Sequence, residues 1–246
     1  NSRRILMENK KQSKNTNSGF KKSGFKTNNQ KPSVEINNDQ FKEKKPDKII
    51  TQNHKGEDII KKVWNPFPAL APVPVVLVTC KHNNKDNIIT IGWTGIVCSK
   101  PPMLYISVRK ERFSYELIEK SGEFVVNLTT QKMVRATDLC GVRSGKNIDK
   151  FKECNLTRQQ SATVDVPSIA QSPVNLECSV VSQTDFGSHT MFVAKIQSVS
   201  VDETLIDNKG KLDLKRANLL TYAHGSYYQL GGILGNFGYS IRKRKK

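Results

Sequence analysis

The sequence predicts a mainly β domain with few helices, preceded by a long basic tail without packed structure. From residue 64 onward, short runs of β-branched residues recur between glycine, proline and asparagine, which is the pattern of strands and turns. Before that point the chain is dominated by lysine, asparagine, glutamine, serine and threonine. Only 36% of the 246 residues are hydrophobic, and most of this deficit lies in the first part of the chain.

The charge is concentrated at the two ends of the chain. Residues 1–62 contain 16 Lys or Arg against 7 Asp or Glu, and residues 242–246 are all basic, within a whole-chain charge of +18. A segment this polar buries too little apolar surface to offset its ordering entropy. We therefore expect a disordered basic tail over 1–62, a folded domain over 63–241 and a basic C-terminal tail over 242–246.

Six segments of the expected domain read as strands. They are residues 73–79, 88–96, 103–109, 123–128, 174–182 and 190–201. Six or more strands with few intervening helices indicate a closed antiparallel sheet, because closure removes exposed strand edges.

Helices are expected only between strands. Ser114 followed by Tyr-Glu-Leu-Ile predicts a helix over 114–120, with Ser114 as its N-cap and Glu116 in its first turn. Residues 131–140 and 147–153 are weaker helical candidates on either side of the glycine-bearing stretch 141–146.

The cysteines and the N-terminal sequence bear on cellular location. Cys80, Cys98, Cys140, Cys154 and Cys178 are irregularly spaced, which argues against a disulfide framework and against a zinc site. No charged-then-apolar signal layout is present, and the best apolar run is short and broken by prolines. We expect a cytoplasmic protein that binds no metal.

The strand around Gly92 and Gly95 gives up side-chain packing at two positions. A ligand or another backbone that approaches closely is the usual reason for glycine inside a strand. Trp93, Ile96 and Val97 can supply an apolar wall, so a flat ring is a candidate ligand at this strand.

Four residues that suit a phosphate group follow shortly afterwards. Ser107, Arg109, Arg112 and Ser114 lie at a strand end and a helix start, where backbone N–H groups and the helix dipole favour an anion. In the alternative reading, Ser114 only caps its helix and Arg112 pairs with Glu116 or with solvent.

Several blocks of the sequence, in order, resemble a known family. They are NIITIGWTGIVCSKPPMLYISVRKERFSYELI, EFVVNL, SGKNIDKF, GSHTMFVAKI and YYQLGGILGNFGYS. Together they resemble the flavin reductase-like family of FMN-binding split barrels, in particular its flavoredoxin-like branch, over roughly residues 65–240. The resemblance implies a six-stranded Greek-key split β-barrel with added helices, a homodimer, and FMN near the subunit interface.

The resemblance also implies site residues. The flavin ring would be held by Trp93, Thr94, Gly95, Ile96 and Cys98, and the phosphate by Ser107, Arg109, Arg112 and Ser114, with Lys146 and Lys150 as further candidates. His189 occupies a Gly-x-His-Thr position that lies near the ring in relatives, although a lone histidine beside a strand is often structural. For Cys98 we expect packing or a backbone contact rather than thiol chemistry.

Two other nucleotide motifs fail on spacing. Residues 141–146 are one residue short of a P-loop and continue with Asn147. The glycines at 231, 232, 235 and 238 do not form a dinucleotide fingerprint and lack a βαβ frame. A nicotinamide nucleotide would therefore have to stack on the flavin transiently.

The leading functional hypothesis is an FMN-dependent oxidoreductase that passes hydride or electrons from NAD(P)H through FMN to an unknown second acceptor. One alternative is an FMN electron-transfer protein without NAD(P)H activity of its own. The other is a protein that binds nucleic acid or another anionic surface through its basic tails, although no nucleic-acid-binding motif accompanies the charge.

Overall fold

The computed structural model describes residues 46–242, and the chain divides into two units between Pro66 and Phe67. Most of the expected N-terminal tail, residues 1–45, and residues 243–246 of the basic C-terminal tail lie outside the described residues. Among the described residues, no helix has the length and apolar character needed to cross a membrane.

The first unit differs from the expected tail, because its described part forms an antiparallel hairpin. Strands β1 (Lys48–Gln52) and β2 (Asp58–Lys62) pair with Ile50 opposite Ile60. In the turn between them, the Asn53 side-chain oxygen accepts hydrogen bonds from the backbone of Lys55 and Glu57. Two isoleucine pairs flanking a polar turn are a hairpin signal that the overall composition of the segment concealed.

The second unit is built on a seven-stranded antiparallel sheet. Its members are β4 (Val76–His82), β5 (Lys85–Ile91), β6 (Thr94–Ser99), β7 (Pro102–Val108), β8 (Glu123–Leu128), β11 (Val174–Asp185) and β12 (Thr190–Val201). Their order in the sheet is β5-β4-β8-β11-β12-β7-β6. A three-stranded sheet, β14-β13-β3, combines β3 (Val73–Pro74), β13 (Leu220–Ala223) and β14 (Ser226–Gln229). The short strands β9 (Arg158–Gln159) and β10 (Ser168–Ile169) pair with each other.

The helices lie between strands, as expected. They are α1 (Phe113–Ser121), α2 (Val134–Val142) and α3 (Lys150–Glu153), with 3₁₀ turns at Gln131–Met133, Glu203–Leu205, Leu214–Ala217 and Tyr239–Ile241. The prediction of Ser114 as N-cap is wrong. The N-cap residue of α1 is Arg112, whose side chain makes no capping hydrogen bond. Ser114 is the second residue of the helix, and its side chain is buried.

Six strands share one barrel core, which agrees with the expected mainly β split-barrel architecture. Side chains of β4, β5, β7, β8, β11 and β12 converge on it, with Phe124 and Phe192 fully buried among them. The expected strand over 88–96 is two strands, because the chain leaves the β5 ladder at Ile91 and re-enters the sheet as β6 at Thr94. This break at Gly92 and Trp93 divides one expected strand into β5 and β6, so the sheet has seven strands where six were expected.

A second apolar layer covers the outer face of β4 and β5. Leu77 and Ile88 point away from the barrel core and pack with Met133, Cys140 and Phe151 of the helical segments. Alternate residues of these strands are therefore buried on opposite faces, and α2 and α3 are held against the sheet.

We expect Phe124→Ala to lower the free energy of unfolding by about 3–5 kcal/mol, because it empties a fully buried ring position in the barrel core. Phe237→Ala, which truncates a fully exposed ring, should change it by less than about 0.5 kcal/mol. Urea denaturation followed by tryptophan fluorescence measures both, and equal effects would show that Phe124 is not a core residue.

Candidate functional site

A cavity of about 210 Å³ opens between β5, the start of α1 and the segment that joins α2 to α3. Three cationic side chains line it, those of Arg112, Arg143 and Lys150. Its other lining residues are Asn87, Ile89, Glu111, Phe113, Ser114, Cys140, Ser144 and Gly145. The cavity thus combines positive charge, hydroxyl groups and the N-terminus of a nine-residue helix.

Lys150 is buried although it carries an ammonium group. Asp149 accepts backbone hydrogen bonds from Phe151 and Lys152, which starts α3 and turns Lys150 inward, where it is 4% exposed. Its Nζ donates to the Ile88 carbonyl at 2.6 Å and to the Cys140 carbonyl at 2.8 Å. Burial lowers the pKa of this ammonium below its ordinary value. An ammonium has three N–H donors, and two acceptors for those of Lys150 lie among residues 46–242.

The two arginines at the cavity are not neutralised by a carboxylate of the described part of the chain. Within residues 46–242, neither Arg112 nor Arg143 forms a salt bridge. The alternative pairing of Arg112 with Glu116 is not made, because Glu116 pairs with Lys120 at the next helical turn. The acid that lines the cavity, Glu111, pairs with Arg109 at 2.8 Å.

The Asn87 side chain lies between Ser114 and Gly145. The Asn87 amide donates to Ser114 Oγ at 2.8 Å, and both side chains are buried. A Cβ added to Gly145 would lie 1.9 Å from Asn87 Oδ1, so this backbone position admits only glycine without a shift. Asn87 therefore positions one wall of the cavity against the other.

The residues predicted to hold a ring lie on or just before β6. Ile96 and Val97 are more than half exposed, at an irregularity where β6 slips its register against β7. Thr94 Oγ1 donates to the Tyr105 carbonyl at 2.6 Å. A Cβ on Gly95 would lie 2.9 Å from the Tyr105 ring, so close side-chain packing by itself explains glycine there.

Cys98 and Ser107 make backbone contacts in the same region. Cys98 Sγ lies 3.0 Å from the Pro101 carbonyl oxygen. The Ser107 backbone N–H donates to the Trp93 carbonyl, which fixes the start of β6 against β7.

The structure separates the predicted phosphate residues into groups. Arg112, Ser114 and Lys150 meet in the cavity, whereas Lys146 lines a neighbouring cavity of about 620 Å³ with Lys85 and Arg158. Arg109 forms an ion pair with Glu111, and neither Arg109 nor Ser107 lines the cavity.

His189 lies in the turn between β11 and β12, close to Arg109. Gly187 has the positive φ of +77° that the turn requires, and His189 Nδ1 is 2.9 Å from Ser188 Oγ. Partial burial, with a further contribution from the positive charge of Arg109, lowers the pKa of His189 below its ordinary value. The imidazole is therefore mainly neutral at pH 7.

Sequence analysis did not identify Asn87, Arg143, Ser144 and Gly145 as site residues. The available signal was the stretch 141–146, a glycine-containing loop with two basic residues between two helices. Its spacing excludes a P-loop, and the block SGKNIDKF contributes to the family resemblance without assigning a role to Ser144 or Gly145. A second overlooked group is an aromatic cavity of about 410 Å³, where Phe67, Tyr222 and His224 lie with Trp93.

Comparison with known proteins identifies the domain. Residues 69–231 match the model of the flavin reductase like domain. The chain belongs to the flavin reductase-like family.

Solved structures of flavin reductase-like proteins share the fold. The flavoredoxin of Desulfovibrio vulgaris (Miyazaki F) is 29% identical with a TM-score of 0.70, over 74% of this chain and all of that one. The FMN-binding domain of a flavin reductases-like enzyme from Shewanella baltica is 25% identical with a TM-score of 0.59, over 66% of this chain and 88% of that one.

A curated relative adds an enzyme to the comparison. The reductase component of an FADH(2)-dependent resorcinol hydroxylase from a Rhizobium species is 24% identical, over 56% of this chain and 74% of that protein. The flavin reductase-like resemblance stated from sequence motifs is confirmed.

We expect Gly145→Ala to lower the free energy of unfolding by about 1–3 kcal/mol, because its Cβ would displace Asn87 and break the bond to Ser114. Gly231→Ala is the matched control, since a Cβ there meets nothing within 4 Å. Thermal and urea denaturation of both variants checks this. A neutral Gly145→Ala would mean that the cavity wall is loosely packed.

Proposed function

We propose that this chain is an FMN-dependent oxidoreductase of the flavin reductase type, which passes electrons from NAD(P)H through FMN to a second acceptor. The observation that carries the proposal is the cavity with Arg112, Arg143 and Lys150 on a flavin reductase-like domain. The family membership supports flavin-related electron transfer, and the cavity supports a phosphate-bearing flavin.

The cavity fits the phosphate of FMN. A phosphate monoester at neutral pH carries nearly two negative charges and needs several donors. Arginine provides a planar set of N–H donors and lysine a point charge, and the first turn of α1 adds the positive end of the helix dipole. Of the three cationic side chains, Lys150 is stabilised most by such an anion, because folding has already removed its ammonium group from water.

The ring of the cofactor belongs in this proposal to the surface around Trp93 and β6. Ile96 and Val97 expose apolar side chains there, which suits a flat aromatic system and a second subunit packing over it. A homodimer with FMN near the subunit contact is therefore part of the proposal. When bound, the flavin supplies the capacity to accept a hydride and to release electrons singly or in pairs.

The protein's own residues bind and orient the cofactor in this scheme. Arg112, Arg143 and Lys150 neutralise the phosphate, and Ser114 places a hydroxyl at the same cavity. His189 remains the candidate catalytic residue. Its neutral imidazole, held toward Ser188, would shape the entry of the donor rather than supply a proton.

One second function has support from the comparisons. The similarity to flavoredoxin favours an FMN electron-transfer protein without NAD(P)H activity of its own. Mixing the FMN-loaded protein with NADH or NADPH in the absence of air distinguishes the two functions. A reductase would lose its flavin absorption, whereas an electron-transfer protein without NAD(P)H activity would keep it.

We expect Arg112→Ala to weaken FMN binding by about 1–3 kcal/mol, the range for a lost charge-assisted hydrogen bond. Riboflavin, which lacks the phosphate, should bind both proteins equally. Fluorescence titration with each flavin measures this. Arg216→Ala is the matched control, since Arg216 does not line the cavity and its loss should leave FMN binding nearly unchanged. Equal losses for FMN and riboflavin would remove Arg112 from the phosphate site.

We expect His189→Ala to retain FMN while slowing reduction by NAD(P)H about tenfold, which corresponds to about 1.4 kcal/mol in the barrier. The variant lacks the side chain at the donor's proposed entry but keeps the barrel intact. Anaerobic stopped-flow absorbance measures the rate. A variant that loses FMN or stability but reduces at the normal rate would make His189 a structural residue.

A further inference from the structure

We propose that Cys140 and Cys154 form a reversible disulfide that joins α2 to α3 and stiffens the loop carrying Arg143 and Gly145. The two sulfur atoms lie 3.9 Å apart. A disulfide bond of about 2.05 Å requires them to approach by about 2 Å. The effect proposed for the cofactor rests on the function proposed above, whereas the bond itself does not.

The surrounding contacts already hold the two cysteines in place. Lys150 Nζ donates to the Cys140 carbonyl, and the Cys154 backbone N–H donates to the Lys150 carbonyl at 3.1 Å. Both cysteine backbones are thus tied to the same lysine. A side-chain rotation with a small movement of the end of α3 can bring the sulfurs together.

The other three cysteines lie elsewhere in the domain. Cys80 and Cys178 belong to the barrel core, and Cys98 contacts the Pro101 carbonyl in the segment after β6. Cys140 packs instead in the outer layer beneath the helices, with Cys154 beside it. The structure therefore selects one pair among the five thiols.

The reaction is a thiol–disulfide exchange with a small-molecule disulfide as oxidant. The Cys154 thiolate attacks one sulfur of the oxidant, forming a mixed disulfide and releasing one thiol. The Cys140 thiolate then attacks Cys154 Sγ and releases the second thiol. The two cysteines lose two electrons, the oxidant gains them, and both protons end on the released thiols.

Accessibility decides the order of these steps. Cys154 is partly exposed, whereas Cys140 is 1% exposed and lies behind it. Burial raises the pKa of both thiols, that of Cys140 to about 12, and the nearby Lys150 ammonium opposes the rise. Only a small fraction of these two thiols is ionised at neutral pH, so thiol–disulfide exchange is slow. A slow exchange suits long-lived reduced and oxidised forms of the protein rather than a catalytic cycle.

The bond would act on the proposed phosphate cavity through the loop it closes. Arg143, Ser144 and Gly145 lie between the two cysteines and line that cavity, as does Cys140 itself. Closing this loop limits the conformations of the unfolded chain and restrains the loop in the folded protein. The oxidised protein should melt at a higher temperature and release FMN more slowly.

The test begins with the reduced full-length chain, without added flavin, incubated with glutathione disulfide at pH 8.5. The protein is then denatured in the presence of N-ethylmaleimide, which blocks the free thiols that are buried in the native state, and the peptides are mapped by mass spectrometry. We expect a peptide linking Cys140 to Cys154, and a fall from five blockable thiols to three. Dithiothreitol should restore all five. Five free thiols after incubation, or a link between another pair, would overturn the proposal.

Two variants sharpen the result. Cys154→Ser should abolish the link and the rise in melting temperature. Cys98→Ser, which removes the other partly exposed cysteine, should keep both. Loss of the link in Cys98→Ser would also count against the proposal, because it would show that Cys98 is the cysteine that reacts.

The coupling to the cofactor is tested on the FMN-loaded protein by stopped-flow release of flavin. Several-fold slower release from the oxidised protein, absent in Cys154→Ser, supports the coupling, and equal release rates refute it. Failure of the chain to bind FMN would contradict the proposed function, while the peptide map without flavin would still decide whether the bond forms.

Discussion

The Lys150 ammonium joins three elements of the fold by hydrogen bonds, in addition to the apolar contacts between them. Its two hydrogen bonds reach the carbonyls of Ile88 in β5 and Cys140 in α2, and its backbone belongs to α3. Removing a charge from water is expensive unless hydrogen bonds and opposite charge compensate it. Two carbonyl oxygens compensate part of that cost, and an anion in the cavity would compensate more. If the cavity holds a phosphate as proposed, the same residue links the stability of the helical layer to ligand binding.

This arrangement depends on a sheet that is buried on both faces at β4 and β5. Val76 and Val78 enter the barrel core, while Leu77 and Ile88 hold the helices on the other side. The helices in turn place the loop with Arg143 and Gly145 opposite the start of α1. The cavity is thus a consequence of layer packing rather than of any one motif.

A buried polar network supports the same outer face of the sheet beside the helical layer. Asn127 in β8 donates to the Leu77 carbonyl at 2.9 Å and accepts from the Ile169 backbone N–H at 2.9 Å. Asn175 in β11 donates to the same Asn127 oxygen at 2.7 Å. Because buried amides without partners are costly, this set specifies how β4, β8, β10 and β11 meet.

The amino-acid sequence by itself determined the mainly β class, most strand positions, the helix after β7 and the resemblance to flavin reductase-like proteins. These properties depend on local alternation, turn residues and ordered motifs, which a sequence displays directly. It also indicated Arg112, Ser114 and Lys150. Only the tertiary structure showed that Arg143 and Gly145 join them, that Arg109 pairs with Glu111, and that Ser114 bonds to Asn87 instead of capping its helix. Asn87 and Ser114 lie 27 residues apart in the chain, and only the packing of α1 against the sheet brings them within hydrogen-bonding distance. Arg109 and Glu111 are close in the sequence, but only the conformation of the chain after β7 brings their charges together.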